Sequence, residues 1–461
     1  MNVGSRKRSG PLVGTPRRGV RTSPIISDRE ISYKAALTWL YSLQRFGIKL
    51  GLENTRRLLD ECCSGFCVKH PAVETGVFTP KVIHIAGTNG KGSVCAMVDS
   101  ICRAQGYRTG LFISPHLVTF RERIRVNGEM ISEDAVADGL TMIQDLIADW
   151  DPHPTFFEVT TALALKHFGD AKIEIAILET GLGGRLDATN AVQSDVSVIT
   201  PIALDHEKWL GHTLAEIAGE KAGIIKPGIP VVSSSQRPEA EEVIRVRAVE
   251  CGAPMQFINE RYTRSPVALR GDYQKQNAAV ALAAIHAANI QPSEKAIVRG
   301  LATIEWPARF QIWDERTIID GAHNPGAART LAQTWREVFK DQKATLVLAV
   351  LSDKDLRGIC EELTPIADSI VLPKIRSERA ALPEELARVF ASVLSNCRAG
   401  ASPAGNRSGC PTISIASSID EALDIARAKP NPILITGSLH FAGEVLAHLR
   451  GEPAAFEECA Q

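Results

Sequence analysis

Short apolar runs that alternate with helical patterns are the feature that most constrains how this chain can fold. Val82 opens VIHIA, Arg108 opens RTGLFIS, Ile173 opens IEIAILET and Val196 opens VSVITPI. Such runs are close to continuously apolar, as in strands buried on both faces of a parallel sheet. Between them, SVCAMVDSICRAQG from Ser93 (stopped by Gly106) and EDAVADGLTMIQDLIADW from Glu133 carry helical spacing. Strand–helix alternation implies crossover units and an α/β sheet covered by helices. Near residues 301–310, LATIEWPARF, the pattern resets. TIIDGAHN, TLVLAV, SIVLP and PILITG then give four more buried strands. A chain of 461 residues is too long for one ordinary core. The expected organisation is a disordered basic extension over 1–30, a first α/β domain over 31–305 and a second over 306–461. Within the first, a helical stripe from near Ile31 through Leu37, Leu40 and Leu43 ends around FGIKLGL, residues 46–52. The Gly-, Ser- and Pro-rich run at residues 396–412 reads as a surface loop.

Composition removes several function classes. A net charge of -1 gives no reason to expect nucleic acid or an acidic membrane surface as partner. No apolar run approaches the roughly 18 residues of a spanning helix. The clustered cysteines Cys62, Cys63 and Cys67 lack paired zinc-site spacing, and the other seven are scattered, so reduced cytoplasmic thiols are expected. The first 27 residues hold six Lys or Arg and no acid, but Gly and Pro interrupt any amphipathic helix.

The strand VIHIA runs into GTNGKGS and then a helix. Glycines at 87, 90 and 92 let backbone amides turn inward around phosphate oxygens, and the helix start adds positive potential. The spacing departs from G-x-x-x-x-G-K-[ST], because Gly92 separates Lys91 from Ser93. In LETGLGGRLDATN, Glu179 closes a buried strand, where a carboxylate can hold Mg²⁺. His206 follows VSVIT, and Lys221 lies in GEKAGIIKPG; neither is persuasive alone. GDYQKQNAAVALAA places Gln276 and Asn277 at a helix start. WPARF carries Arg309, and IIDGAHNPGA carries Asp320 and His323, with Asn324–Pro325 suited to opening a helix.

Taken in order, FGIKLGL, AGTNGKGS, SPHL, TFFE, LETGLGGRLDATN, LDH, GEKAGIIKPG, QNAA, WPARF, DGAHNP and LITGSLH resemble the folylpolyglutamate synthase and dihydrofolate synthase family of the Mur ligase superfamily. The likeness runs from about residue 31 to about residue 450, and the displaced Gly92 belongs to its phosphate loop. It implies an N-terminal P-loop ATPase-like domain with a mostly parallel sheet, which binds ATP and folate, and a C-terminal Rossmann-like ligase domain. It also implies that Thr88, Asn89, Gly90, Lys91, Gly92 and Ser93 cradle ATP, with Asn277, Arg309, Asp320 and His323 as further nucleotide contacts. Ser114, Glu179, His206 and a carbamylated Lys221 would hold two Mg²⁺ ions, with Lys91, Lys221 and His206 catalytic. Thr155, Phe156, Phe157 and Glu158, with Leu186, Asp187 and Ala188, would bind the pterin, and Ser438 would help to bind glutamate. Tyr273 stands where the family often has histidine.

The implied reaction joins L-glutamate to dihydropteroate, to a reduced folate, or to both. ATP would convert the acceptor carboxylate into an acyl phosphate, which the amine of glutamate attacks. A cytoplasmic monomer with small-molecule partners only is expected. The alternatives are a Mur-type ligase of UDP-muramoyl peptides and a non-catalytic nucleotide-binding paralogue.

Overall fold

The computed structural model describes residues 32–47, 51–62, 79–399 and 410–457. The basic extension, Cys63, Cys67, the centre of FGIKLGL and most of the 396–412 run lie outside the described residues.

Eight strands form the first sheet: β1 Lys81–Ala86, β2 Thr109–Phe112, β3 Ile124–Val126, β4 Glu129–Met130, β5 Ile175–Glu179, β6 Val196–Ile199, β7 Val231–Ser234 and β8 Met255–Ile258. Their order is β4-β3-β2-β5-β1-β6-β7-β8. All neighbours are parallel except the β2–β3 and β3–β4 pairs. Side-chain alternation along β1 splits the core in two. Val82 faces a cluster with Phe112, Leu178 and the helices Glu133–Leu146 and Phe156–Asp170. Ile83 and Ile85 face the other side, against the helices Lys91–Gln105 and Asp272–Ala287.

The second sheet comprises β9 Gln311–Ile312, β10 Thr317–Ile319, β11 Ala344–Leu348, β12 Ala367–Pro373, β13 Thr412–Ala416 and β14 Ile433–Thr436. Its order is β13-β12-β11-β14-β10-β9, parallel but for the β9–β10 pair. Two parallel-dominated α/β sheets are therefore present, as expected from the alternating apolar runs.

Several boundaries differ from the expectation. The N-terminal helix does not: Tyr33–Ser42, with its Ser32 cap accepting from the Ala35 amide, continues into a 3₁₀ turn, Leu43–Phe46, and so ends at FGIKLGL as expected. The helix after the glycine turn opens at Lys91 rather than Ser93, because Gly90 takes φ +90° and acts as its N-cap. Gly106 ends that helix at φ +102°, as its position suggested. Short strands such as β3, β4 and β9 carried too few residues to show a period. Among the described residues no helix is long and apolar enough to cross a membrane.

Candidate active site

The carboxyl ends of β1, β2, β5 and β6 open on one crevice, the usual position for a ligand in an open α/β sheet. The loop after β1 is fixed from below. Thr88 and Asn89 amides donate to Pro201 O at 3.0 and 3.1 Å. Thr88 Oγ1 donates to Ala203 O and accepts from the Ala203 amide, both at 3.1 Å. Gly87 leaves no room for a side chain, since a Cβ would lie 1.9 Å from Thr200 Oγ1. Gly90 supplies no side-chain cap to the following helix, whose first amides face the turn.

Lys91 Nζ donates to Thr88 O at 3.3 Å within this loop. Lys221, in the last turn of the helix Leu214–Ala222, reaches Gly87 O at 2.9 Å. Burial, then the neighbouring Lys91 charge, pulls the Lys221 amine down to about 7. Ser93 is buried, and its hydroxyl accepts from Gln274 Nε2 at 3.2 Å. Gln274 in turn accepts from Asn277 Nδ2 at 2.9 Å. Gln274, not Gln276, is thus the glutamine that faces the phosphate loop. Gln276 instead ties to Ile258 O. One helical turn separates Gln274 from Asn277, so they share a face, and Gln276 does not.

Glu179 ends β5 and accepts from the Ser114 amide at 3.3 Å. Burial pushes its carboxyl above the usual range, although Lys91, the Ser114 amide and Arg309 pull the other way. Ser114 Oγ is buried and has no hydrogen-bond partner. An orphaned hydroxyl beside a buried carboxylate, both hard oxygen donors, fits a divalent cation such as Mg²⁺.

Asp205 is the hub of the far wall. It accepts from Lys354 Nζ at 2.7 Å and from Asn324 Nδ2 at 3.1 Å, and lies 3.5 Å from His323 Nε2 and 4.0 Å from His206 Nε2. Burial alone would raise its carboxyl, but the His323 hydrogen bond and the surrounding positive charges hold it far below the ordinary value. His206 takes a left-handed φ of 53°. Burial brings its imidazole down to about 4, against the opposing pull of Asp205. Asn89 and Asn324 exchange side-chain hydrogen bonds at 3.1 and 3.3 Å, joining the phosphate loop to the second α/β unit.

The other expected residues are placed as follows. Asp320 accepts from the Phe310 and Ala322 amides at 2.7 and 2.8 Å, and so holds the turn that presents Arg309. Arg309 lines a small cleft with Gly92, Ser114, Glu179, Trp306 and Leu439. Thr155 and Glu158 form a capping box, and Phe156 stacks on Tyr41 at 5.6 Å. Phe157 packs on Gly181, where a Cβ would fall 2.4 Å from its ring, so TFFE meets the LETGLGG turn. Asp187 accepts from the Gly181 and Leu182 amides at 2.9 Å and from Thr189. Leu186 is half-buried and Ala188 buried beside it. Ser438 caps the helix Leu439–Leu449, accepting from the Phe441 amide at 3.1 Å, and donates to Ala349 O. Ser438 and the capping-box residues thus serve as helix caps, whereas Lys91, Lys221, Glu179, Ser114, His206 and His323 surround the phosphate loop and its crevice. Sequence reasoning missed Asp205, Gln274, Asn324 and Lys354. Asp205 lies within the quoted LDH and Asn324 within DGAHNP, where neither was given a site role; Lys354 and Gln274 had only position, after a strand end and one turn before Asn277.

Comparison with known proteins matches the Mur ligase middle domain to residues 85–230 and the Mur ligase glutamate ligase domain to residues 308–439. A dihydrofolate synthase/folylpolyglutamate synthase of Bacillus subtilis is 32% identical, over 91% of this chain and 99% of its own. The Escherichia coli protein of the same description is 35% identical, over 89% and 94%. Among solved structures, Mycobacterium tuberculosis folylpolyglutamate synthase complexed with ADP and AMPPCP superposes with a TM-score of 0.78 at 32% identity, covering 91% of this chain and 99% of that one. The bifunctional Yersinia pestis enzyme complexed with AMPPNP and Mn gives 0.77 at 32% identity, over 91% and 98%.

Proposed function

This chain belongs to the folylpolyglutamate synthase and dihydrofolate synthase family of Mur ligases and is an ATP-dependent glutamate ligase, and on that premise we propose that it performs both glutamylations, on dihydropteroate and on reduced folates. The observation that carries the site assignment is the crevice beside the phosphate loop. There the unpartnered Ser114 hydroxyl and buried Glu179 adjoin Lys91 and Lys221.

A carboxylate is a poor acyl donor, because an oxide would have to leave. Transfer of the γ-phosphoryl group of ATP to the acceptor carboxylate forms an acyl phosphate and ADP. The amine of glutamate then attacks the carbonyl carbon, the C–O bond to phosphate breaks, and the amine gives up its proton. Lys91 and the amides of residues 90–93 hold the phosphates and offset the charge that spreads over the transferred group. Asn277, Arg309, Asp320 and His323 orient the nucleotide, Arg309 through its charge and Asp320 by holding the turn that presents it. TFFE with Leu186, Asp187 and Ala188 forms the pterin end, and Ser438 belongs to the glutamate end. Two Mg²⁺ ions held by Ser114, Glu179, His206 and Lys221 would supply charge neutralisation of the phosphates.

Lys221 contributes as a carbamate. An amine brought down to about 7 is substantially unprotonated in neutral solution, so it can add to CO₂, release a proton and become an acid. A cytoplasmic monomer that acts on small molecules, with neither nucleic acid nor membrane as partner, completes the proposal. Support for the monomer is that both walls of the crevice come from one chain.

The test is phosphate release from ATP, Mg²⁺ and L-glutamate with dihydropteroate or tetrahydrofolate as acceptor. Release with both acceptors is expected, and release with one alone would restrict the enzyme to that step. Silence with both, alongside turnover of a UDP-muramoyl peptide, would refute the proposal in favour of cell-wall chemistry. ATP binding without any turnover would mark a non-catalytic paralogue. Lys91→Ala should abolish release while leaving the melting temperature unchanged.

A further inference from the structure

Beyond the last helix, Leu439–Leu449, the chain turns back onto the first α/β unit. Phe456 packs in one apolar cluster with Leu117 and Val118 of the loop at residues 114–123, and Glu457 meets that loop with both side chain and backbone. Its carboxylate accepts from the Phe120 amide, from Thr119 Oγ1 at 3.1 Å and from Tyr33 OH at 3.1 Å. Its amide donates to Val118 O at 2.7 Å. Its carbonyl is 3.1 Å from His116 Nε2. Arg123 Nε donates to His116 Nδ1 at 2.9 Å, which leaves the imidazole proton on Nε2 to donate to Glu457. Phe456 meets the ring of His440 edge-on at 5.0 Å.

The clamped loop matters because of what it carries. Ser114 stands at one end, and Leu117 and Glu122 form part of the cleft wall with Arg309 and Glu179. Glu122 braces the loop from within, accepting the amides of Leu117, Val118 and Thr119 at 2.9, 3.0 and 3.2 Å. From outside, the last helix presses so closely at Gly443 that a Cβ there would come 1.9 Å from Leu117 O. Glu457 takes over at Thr119 and Phe120, where the bracing by Glu122 stops. It also ties in the N-terminal helix through Tyr33.

We propose that Glu457 is a positioning residue for the ligation: it locks residues 114–123 and thereby places Ser114 and the cleft wall. It touches no reacting group, and it lies beyond the last of the motifs quoted above. The inference rests on the assignment of Ser114 to a metal site. A carboxylate that anchors a ligand loop acts as outer-shell partners do, whose loss typically weakens metal binding by tenfold or more.

The experiment compares Glu457→Ala, Glu457→Gln and Ser114→Ala in the full chain. Hydrogen exchange of residues 114–123 is measured alongside Mn²⁺ binding by electron paramagnetic resonance, with a non-hydrolysable ATP analogue present. Glu457→Ala should speed exchange in that segment and weaken Mn²⁺ binding by about tenfold. Glu457→Gln, which keeps its shape and one acceptor oxygen, should fall between it and the parent. If Ser114→Ala weakens Mn²⁺ binding and both Glu457 variants bind as the parent does, the positioning role is overturned and the metal assignment stands. If Ser114→Ala binds Mn²⁺ unchanged, the metal assignment itself falls, and the inference falls with it. A fall in melting temperature with unchanged exchange at 114–123 would also overturn the proposal, since it would reveal a structural contact only.

Discussion

Lys221 shows how burial sets chemistry at a single residue. Its amine is enclosed, hydrogen-bonded to Gly87 O, and brought down to about 7 by burial and the Lys91 charge, whereas the unfolded chain would hold it near 10.5. Between those values the unfolded chain binds the proton that the folded one has released. This group therefore makes stability rise with pH from about 7 to about 10.5, and its penalty is fully present below that window. Lys221→Met removes the titration, so in bicarbonate-free buffer the variant should be more stable than the parent near pH 6. That advantage should shrink as pH approaches 10. Urea unfolding across the range checks it, and a pH-independent difference would contradict the assignment. Glutamate-dependent phosphate release should be lost in the same variant. In Lys221→Ala, small added carboxylates should restore part of it, as they would stand in for the carbamate acid.

The strand–turn–helix from β1 into Lys91–Gln105 is the element most fully legible in the sequence, because each part has a local cause. Apolar residues form a buried strand, glycines permit a turn with positive φ at Gly87 and Gly90, and Gly106 stops the helix. The Asn324 cap and Pro325 start of the helix Pro325–Phe339 were legible for the same reason. Residues that act across the fold were not. Asp205 and Lys354 are separated by 149 positions, and nothing local distinguishes Lys354 from a solvated lysine. Of the two glutamines in DYQKQN, only the helix phase selects Gln274 as the one facing Ser93. At Gly87 the local argument makes a sharp prediction. A methyl group there would collide with the Thr200 hydroxyl and lie 2.9 Å from Thr200 O. Gly87→Ala should lower stability by roughly 1–3 kcal/mol, the range for overpacking a filled site. It should also weaken ATP binding by more than the stability loss implies, because the phosphate loop itself must move. Calorimetry of unfolding and of nucleotide binding on one sample separates the two effects.

At the scale of the whole molecule, the two α/β units meet at the proposed site. Asp205, from the loop after β6, is held by Asn324, His323 and Lys354, all from the second unit, and its own chain neighbour is His206. Lys354 and Asp205 are both nearly buried, at 8% and 6% exposure, so their charges are little screened. Such a pair is weak evidence for stability as a whole, since desolvation offsets much of the attraction, but removing one partner is costly because the other charge stays buried. Lys354→Met should therefore destabilise toward the low end of roughly 3–5 kcal/mol, as Asn324 and His323 still support the carboxylate. It should also raise the KM for ATP, because the loop carrying His206 loses its anchor on the second unit, with a smaller effect on the KM for the folate acceptor. Asp205→Asn removes the charge that Lys354 answers, so the double variant should lose much less than the sum of the single losses. Denaturant unfolding and ATP kinetics on all four proteins complete the cycle. Strict additivity in both would mean that Lys354 and Asp205 do not couple the two units, and that the second unit is set over the phosphate loop by the Asn89–Asn324 pair instead.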